Sequence, residues 1–180
     1  QIYPTLAVVG GGIALAWEDR RLGHTVIFSS RSDNGNAWTP PLRVSQNPSG
    51  ASSGLGRGSG TMRPALAAFG KQLAAVWLDK RDFLSGYDVY AALRDDGGQR
   101  FGPNLKVQDS FGDSIAQWHA AAAGNGRGDL VIAWDDERDG NADIWLSWRT
   151  ADGSKVKNRD LWEQLDALVA GREVEWHWVR

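Results

Sequence analysis

No cysteine occurs in the 180 residues. Disulfides and thiolate metal sites are therefore excluded, which is compatible with export without showing it. An excess of charge of one sign is also missing. Lys and Arg number 20, Asp and Glu 22, and the net charge is −2, so no global field draws the chain toward nucleic acid or an anionic membrane. No apolar run approaches the roughly 20 residues of a membrane-spanning helix, and no membrane partner is expected. The first residue is Gln1 rather than Met, which points to a processed or cut polypeptide, from which any signal segment would already be gone. With 42% hydrophobic and 23% charged residues, the composition is that of a globular protein. The length suffices for one good core, or for one domain with an appendage.

What the chain has in excess is tryptophan, 10 residues. Three of them open a repeated motif: Trp17-Glu18-Asp19-Arg20-Arg21, Trp77-Leu78-Asp79-Lys80-Arg81 and Trp134-Asp135-Asp136-Glu137-Arg138. The shared pattern is Trp, Asp two residues on, and Arg two further, and the tryptophans stand 60 and then 57 residues apart. A period of that length is one supersecondary unit. Each unit reads as four short strands. In the first these are 5–9, 13–17, 25–29 and a short one near 42–44. In the second they are 64–69, 73–77, 88–93 and 104–107. In the third, three strands read out, at 119–123, 129–134 and 143–148. Short strands with turn signals at regular spacing predict a sandwich, barrel or propeller.

Two glycine-rich stretches are not phosphate sites. Val8-Val9-Gly10-Gly11-Gly12-Ile13 has Leu15 where a dinucleotide turn needs its third glycine, and a strand rather than a helix follows. Gly54-Leu55-Gly56-Arg57-Gly58 precedes neither a helix nor a Lys-Ser/Thr pair, and reads as a loop between repeats.

The third turn of each unit carries a second motif. Asp33, Gly35 and Trp38 in the first, and Asp96, Gly98 and Phe101 in the second, resemble the Asp-box (BNR repeat) of sialidases and related β-propellers. Arg31 or Arg94 replaces its leading Ser, and Ala37 or Arg100 its Thr. In the third unit Ala151 stands where the Asp belongs. The expected work is local: the Asp accepts backbone N–H groups, the Gly takes a positive φ, and the aromatic plugs the blade edge. The resemblance covers residues 1–148 and implies an all-β, β-propeller-like domain of three four-stranded blades. Three blades rarely close a ring, and a closed ring leaves no unprotected edge. A homodimer of six blades, or else an open, edge-capped fragment, is therefore expected. The resemblance also implies a secreted or periplasmic protein.

Residues 149–180 read differently. Leu161, Leu165, Leu168 and Val169 fall at helical spacing, with Asn158 or Asp160 as cap and Gly171 as stop. Glu173 to Val179 then alternates as a strand. From Trp148 on, this helix–strand appendage resembles a fragment of bacterial type-1 ribonuclease H, through Trp148-Arg-Thr-Ala-Asp152, Val156-Lys-Asn158, Asp160-Leu-Trp162 and Glu175-Trp-His-Trp-Val-Arg180. Lys155 stands where that family commonly has Pro. Arg149, Lys155, Lys157, Asn158 and Arg159 form the basic cluster which in that family meets nucleic-acid phosphates. Here Asp152, Asp160 and Glu163 dilute it, and the four acidic metal ligands lie outside the matched segment, so neither ribonuclease activity nor a nucleic-acid partner is expected. The two resemblances meet at Trp148–Gly153, which reads as the junction of a composite, chimeric chain.

Candidate site residues follow from the blade topology. In a four-stranded antiparallel blade the connections after the second and fourth strands share one rim, which in sialidases is the active-site face. Asp19, Arg21, His24, Asp79, Arg81, Asp136 and Arg138 gather there as a candidate ligand-binding face. The repeated Asp and Arg also have an architectural reading, in which the Asp caps its turn and pairs with the Arg. On a repeating scaffold, function should reside where the repeat breaks. That singles out Tyr3, Arg63, His119 and Glu18 as candidate catalytic residues. Arg63 with Pro64 resembles the sialidase Arg-Ile-Pro motif without its Ile. Sialidase chemistry would further need three arginines, a Tyr–Glu pair and an acidic Asp; Tyr3, Tyr87 and Tyr90 are the available phenols. No cofactor is required. Asp135, Glu137, Asp139 and Asp143 alternate as in a calcium loop and are the one candidate metal set. Three functional classes follow: a glycan- or ligand-binding module, a hydrolase of glycosidase or esterase type using rim residues, and a chimera whose property is assembly, or weak nucleic-acid binding through the ribonuclease-H-like tail.

Overall fold

The computed structural model describes residues 1–46, 60–81, 86–94, 100–108, 115–138 and 140–149. The expected C-terminal helix and strand, and with them the ribonuclease-H-like segment, lie outside the described residues. So do Asp96, Gly98, Asp139 and Ala151.

The described chain is all β, with eleven strands in three antiparallel sheets. The first sheet is β1 (Ile2–Val9), β2 (Gly12–Asp19), β3 (Val26–Ser32) and β4 (Leu42–Arg43), in that order. The second repeats it as β5 (Thr61–Phe69), β6 (Gln72–Asp79), β7 (Asp88–Arg94) and β8 (Leu105–Lys106). The third has β9 (Gln117–Gly124), β10 (Leu130–Asp136) and β11 (Asp143–Arg149), with β10 in the middle. The strands run longer than the apolar stretches alone predict. Pairing continues into the polar ends, so that Asp19, Asp79 and Asp136 close their strands rather than open a loop.

The β1–β2 hairpin turns through Gly10 and Gly11 at φ +55° and +75°. That left-handed geometry is why a glycine pair suits the position, and it accounts for the apparent nucleotide motif.

The sheets stack face to face, with β1, β5 and β9 side by side. Ala14, Ala16, Ile27 and Val44 of the first sheet pack against Leu66, Leu73, Ala75, Trp77, Ala92 and Phe101 of the second. The opposite face of the second sheet, through Phe69, Val76, Leu78, Val89 and Val107, packs against Leu130, Ile132 and Trp134 of the third. Buried on both faces, β6 reads as an almost unbroken apolar run, whereas β9 alternates. Close approach of the inner strands requires Gly124: a Cβ there would lie 2.3 Å from Ala68 O and 2.5 Å from Phe69 Cβ. Polar ties cross the same seams. Leu66 N donates to Thr5 Oγ1 at 3.3 Å and Gly70 N to Asn125 O at 2.7 Å. Gln108 Nε2 spans Asp88 Oδ1 and Gln117 Oε1 at 2.5 and 2.8 Å.

The turn after β3 departs from the Asp-box expectation. Gly35 has φ +78° as foreseen, but Asp33 is exposed and meets only the Arg31 side chain. The backbone N–H groups go to its neighbours. Ser32 Oγ accepts from Gly35 N at 2.8 Å, and Asn34 Oδ1 from Asn36 N and Ala37 N at 2.9 and 3.1 Å. Trp38 is 40% exposed, while its counterpart Phe101 is buried in the seam between the first two sheets.

Candidate functional site

Strands β1, β5 and β9 share one irregularity. Each slips register near its start, between Ile2 and Thr5, between Met62 and Ala65, and opposite Ala133–Asp135. At each slip one residue adopts a left-handed backbone: Tyr3 at φ +50°, Arg63 at +51° and His119 at +49°. These are the only non-glycine residues with positive φ among the described residues. Such geometry costs of order 1–3 kcal/mol for a residue with a Cβ, and collects where a side chain must be aimed. A glycine at all three places would remove the strain, and none has one. Tyr3, Arg63 and His119, the repeat-breaking residues, thus occupy one position of the unit with three different chemistries.

The ends of β2 and β10 supply carboxylates to these bulges. Glu18, paired across the ladder with Ile2, is only 2% exposed. Its Oε1 accepts the Arg63 backbone N–H at 2.6 Å, linking the first sheet to the bulge of the second. The Arg63 guanidinium lies 5.8 Å from the Tyr3 ring centroid, so Tyr3, Glu18 and Arg63 form one cluster. In the third sheet the equivalent of Glu18 is Asp135, whose Oδ2 lies 2.7 Å from Nδ1 of the exposed His119. In the second sheet the position is Leu78, which is buried in the core. One rim therefore holds a phenol, a guanidinium, an imidazole and two carboxylates.

The repeated Trp, Asp and Arg residues are organised differently. In every unit the indole Nε1 donates to one Asp oxygen, at 3.0, 2.9 and 3.0 Å for Trp17, Trp77 and Trp134. The backbone N–H of the Arg donates to the other oxygen, at 2.9, 2.9 and 3.0 Å. The guanidinium then closes on the first, at 2.6, 2.5 and 2.5 Å. It also covers an aromatic ring of the next strand: Arg21 on Phe28 at 5.0 Å, Arg81 on Tyr90 at 4.0 Å and Arg138 on Trp145 at 3.8 Å. These rings stand directly opposite Trp17, Trp77 and Trp134 in the ladder. Three donor groups thus satisfy each buried carboxylate, and an aromatic ring seats the guanidinium among them. Hydrogen bonds from Arg21, joined by those from Trp17 and the Arg21 backbone, outweigh burial and hold Asp19 well below the usual carboxylate range. At Asp136 burial opposes ionisation most strongly, but the bonds from Arg138 and Trp134 prevail and its pKa is again lowered. Burial raises the Tyr90 hydroxyl. Tyr90 is the seat of the Arg81 guanidinium, and the aromatic triplet Phe28, Tyr90 and Trp145 escapes a reading that tracks Trp, Asp and Arg alone. Tyr87 packs on Trp118, 5.1 Å between centroids, with Lys80 5.5 Å above its ring.

The calcium set is not brought together. Asp136 and Asp143 are direct partners across the ladder and share a face, while Asp135, one residue earlier, points to the other. Asp135 thus does not converge with Asp143, Glu137 lies past the end of the strand, and Asp139 lies outside the described residues. Among the described residues no three His, Asp or Glu side chains are placed to hold a metal ion. His24, in the β2–β3 connection, has a buried Nε2 without a hydrogen-bond partner among the described residues.

No family model matches the chain. Solved structures do share its fold. The α-L-arabinanase of Penicillium chrysogenum, solved with arabinobiose, superposes over 87% of this chain and 50% of its own at a TM-score of 0.55 and 13% identity. The GH93 α-L-arabinofuranosidase of Fusarium graminearum superposes over 87% and 47% at 0.57 and 16%. This chain thus has the fold of β-propeller glycoside hydrolases and spans about half their length. Its sequence is also 62% identical over 34 residues to ribonuclease H of Thiobacillus denitrificans, a match covering 19% of this chain and 23% of that protein.

Proposed function

We propose that this chain is a carbohydrate-binding β-propeller module whose ligand lies on the rim formed by Tyr3, Glu18, Arg63, His119 and Asp135. The observation that carries the reading is the threefold left-handed bulge, a strained backbone repeated in every sheet and occupied each time by a different polar or aromatic side chain. The repeated Asp–Arg pairs are consumed in their own turns, and buried Glu18 holds the Arg63 backbone, so Tyr3, Arg63 and His119 are the rim side chains with chemistry to spare. An exposed phenol beside a guanidinium offers a flat apolar surface and planar donors, which suits a sugar ring with its hydroxyls. The fold shared with arabinanases and an arabinofuranosidase makes α-L-arabinosyl oligosaccharides the first ligands to try. A secreted or periplasmic location fits such a ligand. Among the described residues no helix is long and apolar enough to cross a membrane.

A glycosidase is the second reading, favoured by the fold shared with arabinanases and an arabinofuranosidase. Hydrolysis of a glycosidic bond needs an acid and a second carboxylate as base or nucleophile; Asp135, hydrogen-bonded to His119, is the rim carboxylate within reach of solvent. Calorimetric titration with arabino-oligosaccharides tests binding, and release of reducing ends tests turnover. Binding abolished by Arg63→Ala or His119→Ala, with the fold intact, supports the rim. Unchanged binding in both variants refutes it.

The ribonuclease-H-like match has about the length of the stretch from Trp148 to Arg180. We take it as an attached segment that makes the chain composite, dividing it at 148/149, and not as a source of ribonuclease activity.

A further inference from the structure

We propose that Asn34 is a site of spontaneous covalent modification: its side-chain amide is lost to attack by the backbone nitrogen of Gly35, and the turn comes to carry aspartate or isoaspartate there. The inference is independent of the ligand assigned to the rim.

The chain holds two Asn-Gly pairs, Asn34-Gly35 and Asn125-Gly126. A glycine after an asparagine leaves the next backbone nitrogen unshielded by a side chain, so the two pairs are alike as sequence. Their surroundings differ. Asn34 is exposed in the turn after β3, and Asn125 is half-buried in the turn between β9 and β10. At both, two backbone N–H groups reach the side-chain oxygen. Asn36 and Ala37 donate to Asn34 Oδ1 at 2.9 and 3.1 Å, and Arg127 and Asp129 to Asn125 Oδ1 at 2.9 and 3.1 Å. Donors so placed stabilise the negative charge which that oxygen gains when its carbon is attacked.

The nucleophile and the leaving group set the two apart. Gly35 N donates to Ser32 Oγ at 2.8 Å, and the same hydroxyl lies 3.4 Å from Asn34 Oδ1. Ser32 is buried, so its hydroxyl is held between the two atoms that react. It can take the proton of Gly35 N and pass its own to Oδ1 as the new N–Cγ bond forms. A Cβ built on Gly35 meets nothing within 4 Å, so no neighbour crowds the attack. The Cγ–Nδ2 bond then breaks, the oxygen's proton goes to the departing nitrogen, and ammonia leaves. Asn34 Nδ2 has no hydrogen bond among the described residues to retain it. Water opens the cyclic imide at either carbonyl, giving aspartate, or isoaspartate with an extra carbon in the backbone. At Asn125 the departing nitrogen is held, because Nδ2 donates to Asp129 Oδ2 at 2.7 Å. The carboxylate's charge also opposes a developing oxyanion beside it. The Asn125 backbone oxygen accepts Gly70 N of the second sheet at 2.7 Å, which fixes the main chain that would have to turn.

Peptide mapping by mass spectrometry of the 180-residue chain, held folded in mildly alkaline buffer, is the test, with isoaspartate located by fragmentation. Conversion at Asn34 should run at least about tenfold faster than at Asn125. In guanidinium, where only sequence remains, the two rates should converge. Ser32→Ala should slow Asn34 by about tenfold and leave Asn125 as it was, with circular dichroism checking that the β structure is retained. Equal rates at the two sites in the folded chain would overturn the proposal. So would a folded chain that keeps Asn34 intact while the unfolded chain converts it. A folded Ser32→Ala that converts Asn34 at the wild-type rate would remove the hydroxyl from the reaction and overturn the mechanism.

Discussion

Arg63 and Glu18 belong to different sheets, yet the Arg63 backbone N–H donates to Glu18 Oε1 at 2.6 Å. The bond reaches a residue whose backbone is left-handed, from a carboxylate removed from solvent. It ties the bulge of β5 to the end of β2, and so holds the rim in place from outside its own sheet.

Glu18→Ala should therefore destabilise the fold. It leaves the Arg63 N–H unpaired in a partly buried place, which costs about 1–3 kcal/mol. Glu18→Gln keeps an acceptor oxygen and should lose less. Urea denaturation of both variants checks the order, and equal losses would contradict the role given to this bond.

Glycine at a bulge should separate strain from function. His119→Gly and Tyr3→Gly remove the Cβ that makes φ near +50° unfavourable, and each sacrifices only exposed contacts. Thermal unfolding midpoints should stay level or rise. A loss above about 2 kcal/mol would show that the side chains hold the fold together, since surface changes away from structural features are usually within about 0.5 kcal/mol.

Buried Asp136 and Asp19 should rank by how well their arginines are covered. Asp136→Ala leaves Arg138 charged and almost fully buried, and breaking such a pair costs about 3–5 kcal/mol. Asp19→Ala leaves Arg21 half in water and should cost less. Denaturant midpoints of the two variants test the ranking, which fails if Asp19→Ala is the worse.

Much of this was legible in the sequence, for physical reasons. The Trp, Asp and Arg of each unit bond to one another within five residues, so their spacing survives in the chain. Tyr3, Arg63 and His119 stood out because they break a repeat, although nothing marks them as left-handed: glycine, the usual sign of that geometry, is absent. The turn at Ser32–Gly35 was misassigned because Ser, Asp and Asn adjoin, and any of them can accept the backbone N–H groups. Asp33 was the wrong choice. Phe28, Tyr90 and Trp145 were missed as guanidinium seats because cross-strand partners depend on register. The bond from Arg63 to Glu18 was beyond reach, since it depends on how two sheets dock.

Stability should fall in acid. The folded-state pKa of Asp19 lies below its ordinary value, chiefly through Arg21. That of Asp136 is lowered as well, burial being outweighed by Arg138 and Trp134. A depressed pKa gives stability that is whole above the unfolded-state value near 3.9 and is lost as pH falls through the folded-state value. Unfolding free energy should thus decline below about pH 4, and less steeply in Asp19→Asn. An identical slope in the variant would contradict the assignment.

Gly124→Ala should be severe. The added Cβ would stand 2.3 Å from Ala68 O, a backbone atom of the neighbouring sheet that cannot swing aside. Overpacking of this kind costs about 1–3 kcal/mol or more. Gly11→Ala meets no atom within 4 Å and bears only the strain of φ +75°, so unfolding should place it well above Gly124→Ala. The reverse order would contradict the close seam between β5 and β9.

The account rests most heavily on the bulged rim as the ligand site, and a backbone-amide NMR titration with arabino-oligosaccharides tests it directly. The predicted result is a set of shifts centred on Tyr3, Glu18, Arg63, His119 and Asp135. Shifts confined to the opposite ends of the sheets, around Gly10–Gly12 and Ser32–Gly35, would contradict the claim, as would a spectrum that does not change.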